Sequence, residues 1–163
     1  MRVAAQVHVS APAERVWEII SDPAHVLSFM SGMTRWEVEG DQRTGLGARY
    51  RMLFRVGSAE VGGLIELVEF AAPRDMAWTS VTGLDQRGRW RLRPASGDRT
   101  RVELSLAYGV AGSGLPGWLA EHIAAPTVRR HLRRSLQQLK RLVDQEQLRQ
   151  RAAVRRAARA GQG

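Results

Sequence analysis

The sequence predicts a single α+β domain, in which an antiparallel sheet of about seven strands packs on one long C-terminal helix. The length of 163 residues, 44% of them hydrophobic, allows one substantial core and hardly two. Short segments between residues 33 and 109 alternate apolar and polar side chains, as strands do. Beyond residue 115, apolar residues recur at helical spacing instead. These patterns predict a run of strands followed by one long helix.

The first thirty residues predict a strand and two short helices. Residues 3–9 place valine and alanine on one parity and polar side chains mainly on the other, which indicates a strand. A helix follows, which Ser10 can cap, whose first turn suits Pro12 and which Pro23 stops. Residues 24–30 predict a second short helix or helical turn.

Six further strands are predicted between residues 33 and 109, because turn-forming residues divide this segment at short intervals. Tight connections of this kind favour an antiparallel meander. Gly62 and Gly63 interrupt one of the strands, which predicts a bulge or the close approach of another backbone there.

A long helix is predicted from about Pro116 past residue 143, with a bend at Pro126. Residues 146–163 keep helix-forming Ala, Arg and Gln but lose the apolar stripe of the preceding helix. We therefore expect the domain to occupy residues 1–145 and a basic, mobile extension to follow it.

The formal charge of +9 is confined to the C-terminal end. Residues 1–128 are neutral overall, whereas residues 129–163 hold ten arginines and Lys140 against Asp144 and Glu146. A basic nucleic-acid-binding domain would carry this charge on a face of its fold, and the tail has no aromatic residues to stack on bases. We expect no specific nucleic-acid partner, and weak contact of the tail with an anionic membrane surface.

Composition and spacing exclude several kinds of site. The chain has no cysteine, which rules out disulfides, cysteine-ligated metals and a thiol nucleophile. It lacks the long apolar run of a secretory signal or a membrane span, so we expect a cytoplasmic protein. There is no nucleotide-binding fingerprint after a strand and no cluster of residues at metal-ligand spacing, so neither a metal nor a cofactor is predicted.

Four segments, at the distances expected of one another, resemble the polyketide cyclase/dehydrase branch of the START-like (SRPBCC) superfamily. They are VHVSAPAERVW at residues 7–17, Ser21-Asp22-Pro23, Gly45-Leu46-Gly47, and Glu69 with Pro73-Arg74 ahead of Trp78. The resemblance covers residues 1–145 and implies a helix-grip fold, in which a curved sheet surrounds the C-terminal helix. The superfamily includes lipid and sterol carriers, hormone receptors and aromatase/cyclases. A cavity between sheet and helix would suit a hydrophobic small molecule.

Fourteen residues are the predicted ligand-binding residues of this cavity. Most are bulky residues at the inward parity of the strands, and the others lie on or next to the predicted helices. They are Phe29, Met30, Met33, Trp36, Tyr50, Met52, Phe54, Trp78, Trp90, Leu104, Leu106, Tyr108, Trp118 and His122. The same side chains could instead fill the space as ordinary core, since large residues at strand spacing give native packing density.

Three functions follow from these expectations. The preferred one is noncatalytic binding or transport of a lipid, an isoprenoid or a polyketide. The alternative is a polyketide aromatase/cyclase or dehydrase, and the resemblance then implies an arginine in the pocket beside tyrosine and tryptophan. Arg89, Arg91 and Arg93 share one strand parity, however, and the inward position of Trp90 would turn them to solvent.

The third function is a regulatory or adaptor role of the basic tail. No catalytic residue is assigned, and the sequence does not decide the oligomeric state.

Overall fold

The computed structural model describes the backbone of residues 1–109 and 117–162, and the side chains of residues 1–109 and 125–162. Seven strands and three helices follow one another in the predicted order. They are β1 (Arg2–Val9), α1 (Ala13–Ile20), α2 (Val26–Phe29), β2 (Met33–Glu39), β3 (Arg49–Val56), β4 (Ala59–Ala71), β5 (Asp75–Gly83), β6 (Gln86–Pro94), β7 (Thr100–Tyr108) and α3 (Gly117–Ala160).

All seven strands form one antiparallel sheet in the order β1-β7-β6-β5-β4-β3-β2. Consecutive strands from β2 to β7 are neighbours, and β1 adds to the far edge by pairing with β7. The sheet curls into a half-barrel, and α3 lies mainly against β1. This arrangement confirms the predicted α+β helix-grip fold.

Glycines allow the backbones of β3, β4 and β5 to approach one another closely. A Cβ atom at Gly62 would lie 2.1 Å from the carbonyl oxygen of Met52, and one at Gly83 would lie 2.1 Å from that of Gly62. The pairing of β4 with β5 shifts register just beyond this point, between Leu64 and Ile65. The prediction of a bulge or close approach at Gly62 and Gly63 is thereby confirmed.

Helix α1 begins differently from the prediction. Pro12 is the N-cap and no side chain caps the helix, so the prediction that Ser10 caps it was wrong. Ser10 is used elsewhere, because its backbone N–H donates to Asp144 Oδ1 at 3.1 Å. The bond joins the loop before α1 to α3, a partner 134 residues away that no local pattern indicates.

The core lies between the concave face of the sheet and one face of α3. Leu132, Leu136, Leu139 and Val143 recur at spacings of three or four residues along α3, and each is at most 3% exposed. They pack with the inward residues of the strands in a single hydrophobic cluster. Beyond Val143 no described residue of α3 is buried.

Helix α3 continues as far as Ala160, about four turns past the predicted end of the domain. Its last turns are exposed, including Leu148 and Val154. These residues are helical because Ala, Arg and Gln are good helix formers, and the mobility of the extension stays a prediction. Pro126 lies inside the helix. The boundary near residue 145 stays a prediction.

Candidate functional site

A cavity of about 190 Å³ lies between the concave face of the sheet, α2 and the first half of α3. The sheet contributes residues from β2 to β7, and α3 contributes Val128 and Leu132. Three of the lining residues lie at or next to the ends of strands, near the turn between β5 and β6 and the end of β7. These are Leu84, Gln86 and Tyr108.

The twelve predicted site residues whose side chains the structure describes all line this cavity. They are Phe29, Met30, Met33, Trp36, Tyr50, Met52, Phe54, Trp78, Trp90, Leu104, Leu106 and Tyr108. The side chains of the other two, Trp118 and His122, lie outside the described residues. That any of these residues binds a ligand stays a prediction.

Sequence reasoning missed other lining residues. Those from helices and strand ends include Ile20, Val26, Val56, Val61, Leu67, Met76, Leu84, Gln86, Val128 and Leu132. Most lie on apolar faces that the periodicity of the sequence identifies, so the sequence indicated that they are buried. It placed these residues in the core without showing which part of the core stays open.

Aromatic side chains narrow the cavity but do not fill it. Trp36 stacks on Tyr50 with 4.6 Å between ring centroids, and Phe29 meets Trp90 edge-on at 6.1 Å. The remaining volume is smaller than the roughly 300–1,000 Å³ of ordinary ligand pockets. A compact ring system or a slim chain therefore fits this space better than a whole phospholipid does.

The indole of Trp78 packs against position 88, where any side chain larger than that of glycine would collide with it. Trp78 on β5 is paired with Gly88 on β6, and a Cβ at position 88 would lie 1.8 Å from Cζ2 of the indole. Because Gly88 has no Cβ, the ring can pack directly against the backbone of β6. This contact fixes one wall of the cavity.

Two polar side chains at the cavity already have partners. The Ser21 hydroxyl donates to the carbonyl of Trp17 at 2.6 Å, and the Tyr50 hydroxyl donates to the carbonyl of Arg43. Burial raises the pKa of Tyr50, so its hydroxyl remains protonated at neutral pH. Neither group is positioned as a general base.

The arginines of β6 lie on the outside of the sheet, as their parity predicted. Arg89 pairs with Glu69 and Asp75, and Arg93 donates to both carboxylate oxygens of Asp75 at 3.0 and 3.2 Å. Arg91 is 3.9 Å from Glu103. None of the three lines the cavity, so none can serve as the pocket arginine that an aromatase/cyclase implies.

A polar cluster next to the cavity joins α3 to the loop between α2 and β2. Nδ1 of His131 is 2.9 Å from the Ser31 hydroxyl, and the Ser31 backbone N–H donates to Ser135 Oγ at 2.8 Å. The His131 ring also meets Phe54, a cavity residue, edge-on at 5.1 Å. Sequence reasoning missed this cluster, because its members are about a hundred residues apart.

Acidification should weaken the fold through His131. Burial, followed by the charges of Arg130 and Arg134, lowers the pKa of His131 below its ordinary value of 6.5. The unfolded chain then binds the proton more readily than the native protein, so stability falls as the pH drops through about 6.5 toward the lowered pKa. We expect His131→Gln to flatten the dependence of the unfolding free energy on pH in this range.

Urea unfolding at a series of pH values measures this effect, with the exposed His8→Gln on β1 as the matched control. An unchanged pH dependence in His131→Gln would contradict the assignment.

Comparison with known proteins places the chain in a family. Residues 1–144 match the family described as polyketide cyclase / dehydrase and lipid transport. The chain belongs to this family. The resemblance found in the sequence is thereby confirmed, and this member of the polyketide cyclase / dehydrase and lipid transport family shares the fold of several solved structures. No curated protein matches it.

Three solved structures illustrate the likeness. TTHA0849 from Thermus thermophilus has a TM-score of 0.76 and 23% identity, over 88% of this chain and 97% of its own. For the Zhui aromatase/cyclase from Streptomyces sp. R1128 the values are 0.74 and 20%, over 88% and 93%. A START superfamily protein from Mycobacterium smegmatis gives 0.67 and 19%, over 86% and 98%. At these identities the likeness shows the fold alone.

Two kinds of feature are absent from the described residues of this family member. No helix among them is long and apolar enough to cross a membrane. Nor do they bring three or more His, Asp or Glu side chains together in a group that could hold a metal ion.

Proposed function

We propose that this protein binds a hydrophobic small molecule, such as a lipid, an isoprenoid or a polyketide, without transforming it. The observation that carries the proposal is the cavity of about 190 Å³ on the concave face of the sheet, whose described lining is almost wholly apolar and aromatic. Filling such a space with an apolar ligand removes nonpolar surface from water on both partners. Membership of a family described by lipid transport supports the same function.

Native mass spectrometry of the purified protein, together with an organic extract of the same sample, tests the proposal. We expect a bound mass of roughly a few hundred daltons, because a pocket of this kind buries most of a small ligand. A clean apo mass, with no rise in melting temperature on adding lipids or aromatic polyketides, would contradict it.

Two variants of one helix show whether the bound mass occupies the cavity. Val128 lines it and is 4% exposed, whereas Val154 on the same helix is 69% exposed. Val128→Phe should fill part of the space and remove the bound mass, while Val154→Phe should retain it. Circular dichroism of both variants checks that they fold. Equal retention by both would place the ligand outside the cavity.

A polyketide aromatase/cyclase is the second candidate, favoured by the family match and by the fold shared with the Zhui enzyme. The described lining holds no Asp, Glu, His, Lys or Arg side chain, so it supplies no carboxylate, imidazole or amine as a general acid or base. For this reason we place binding ahead of catalysis. Turnover of a linear polyketone by the purified protein would reverse that order.

The basic helical extension supports a separate proposal, which is weak contact with an anionic membrane surface. Five exposed arginines project from the last turns of α3 without an acidic neighbour after Glu146, namely Arg149, Arg151, Arg155, Arg156 and Arg159. Each basic side chain near such a surface contributes about 1 kcal/mol. A carrier of apolar molecules would gain access to its cargo in this way.

A further inference from the structure

We infer that the ligand is electrically neutral and carries a hydrogen-bonding oxygen, such as a carbonyl, that is held by the amide of Gln86. This inference rests on the proposed binding function and narrows its ligand class. It follows from three features that the described residues give the cavity: a buried amide with only a weak partner, buried donors without acceptors, and a lining without charged side chains.

Gln86 is a buried polar side chain of the cavity whose amide has only a weak protein partner. It is the first residue of β6, only 4% exposed, and shares its inward parity with Gly88 and Trp90. Its Nε2 donates to Sδ of Met52 at 3.2 Å, and a thioether is a weak acceptor. A buried amide in this state costs free energy unless another group satisfies it.

Two indoles add further donors to the same lining. The Nε1–H groups of Trp36 and Trp78 are buried, and within the described part of the chain neither has an acceptor. Both residues line the cavity. The described lining is therefore richer in available donors than in acceptors, which favours a ligand with a carbonyl or ether oxygen over an unsubstituted hydrocarbon.

The described lining contains no Asp, Glu, His, Lys or Arg side chain that could neutralise a charged ligand. Arg89, Arg91 and Arg93 are cations of the strand that carries Gln86, and all three form ion pairs on the opposite face of the sheet. Against the described lining, a carboxylate would lose its water without gaining a counter-ion, at a cost of several kcal/mol. A neutral oxygen loses far less, and the Gln86 amide replaces its hydrogen bond.

Three naphthalenes that differ in one substituent test the inference by isothermal titration calorimetry at neutral pH. They are 2-acetylnaphthalene, which has a neutral carbonyl, 2-isopropenylnaphthalene, which has the same shape without the oxygen, and 2-naphthoate, which is an anion. The wild-type protein should bind the ketone about tenfold more tightly than the hydrocarbon, as expected for one hydrogen bond formed in a buried site. Naphthoate should bind at least about 100-fold more weakly than the ketone.

The variant Gln86→Met removes the amide while it keeps the length and apolar stem of the side chain. We expect it to bind the hydrocarbon as the wild type does and to lose most of the preference for the ketone. Binding of the hydrocarbon also shows that the variant is folded, because the two affinities are compared within one protein. Ser80→Ala, outside the cavity, is a control for the turn beside Gln86, since Ser80 Oγ accepts from the Gln86 backbone N–H at 3.3 Å.

The outcomes separate this inference from the proposed function. Equal binding of ketone and hydrocarbon by the wild type, an undiminished ketone preference in Gln86→Met, or strong binding of naphthoate would overturn the Gln86 assignment alone. If none of the three compounds binds to the wild type, the proposed binding function is contradicted and the assignment fails with it.

Discussion

Gly62→Ala should destabilise the fold by about 3 kcal/mol or more, at the upper end of what overpacking usually costs. The new Cβ would lie 2.1 Å from the carbonyl oxygen of Met52 and 3.1 Å from the Cα of Leu53. Both are backbone atoms of β3, so no side chain can rotate away to make room. The strands must separate, which weakens their pairing at Met52↔Gly63 and Leu53↔Gly62.

Urea denaturation with a spectroscopic readout measures the loss of stability. Gly109→Ala is the matched control, because a Cβ there would meet only Asp85 Oδ2, at an ordinary 3.7 Å. If Gly62→Ala does not fold, Gly83→Ala tests the same crossing from β5, where the contact is the carbonyl of Gly62 at 2.1 Å. Its control is Gly40→Ala, because both glycines have a φ of +85° and a Cβ at Gly40 would meet no atom within 4 Å. A cost below about 1 kcal/mol for Gly62→Ala would show that the strands do not approach so closely.

The order of the elements could be predicted from the sequence because each depends on local chemistry. Period-2 alternation marked β3 and β6, and the two adjacent glycines at residues 62 and 63 marked the close crossing within β4. Parity also assigned Arg89 to the outer face, where it pairs with Glu69. In each case the residues that determine the local structure lie within a few positions of it, so one sequence is enough to predict it.

The openness of the cavity could not be predicted in this way. Parity puts Trp36 and Trp78 on the inner face whether they fill the space or surround it. Whether these side chains fill the cavity or line it depends on long-range contacts. Examples are the stacking of Trp36 on Tyr50 and the packing of Trp78 against Gly88. Such contacts depend on register and curvature, which periodicity does not specify.

Polar groups that meet across the fold were missed for the same reason. Gln86 follows a turn and shows no motif, yet its amide meets the sulfur of Met52 on β3, a strand that β4 and β5 separate from β6 in the sheet. His131 lies in an arginine-rich segment whose sequence indicates a solvent-exposed helix face. It contacts Ser31 because α3 packs beside α2. These residues carry the chemical detail of the site, so the sequence predicted its place in the fold better than its specificity.

Leu136→Ala should cost about 2–5 kcal/mol of unfolding free energy, as truncation of a fully buried leucine does. Leu136 is 1% exposed and belongs to the stripe by which α3 packs on the sheet. Leu148, about three turns farther along, is 64% exposed, so Leu148→Ala should change stability by no more than about 0.5 kcal/mol. The two changes remove the same atoms from one helix, and they differ only in what surrounds the side chain.

This pair of variants also tests where the domain ends. If the structural unit ends near residue 145, the contribution of a leucine side chain to the unfolding free energy should fall sharply between positions 136 and 148. A chain truncated after residue 145 should then retain the wild-type unfolding midpoint in urea. A loss of more than about 1 kcal/mol in Leu148→Ala or in the truncated chain would contradict this boundary. The last turns of α3 would then be a structural part of the domain, because a solvated helical extension contributes no buried surface to its stability.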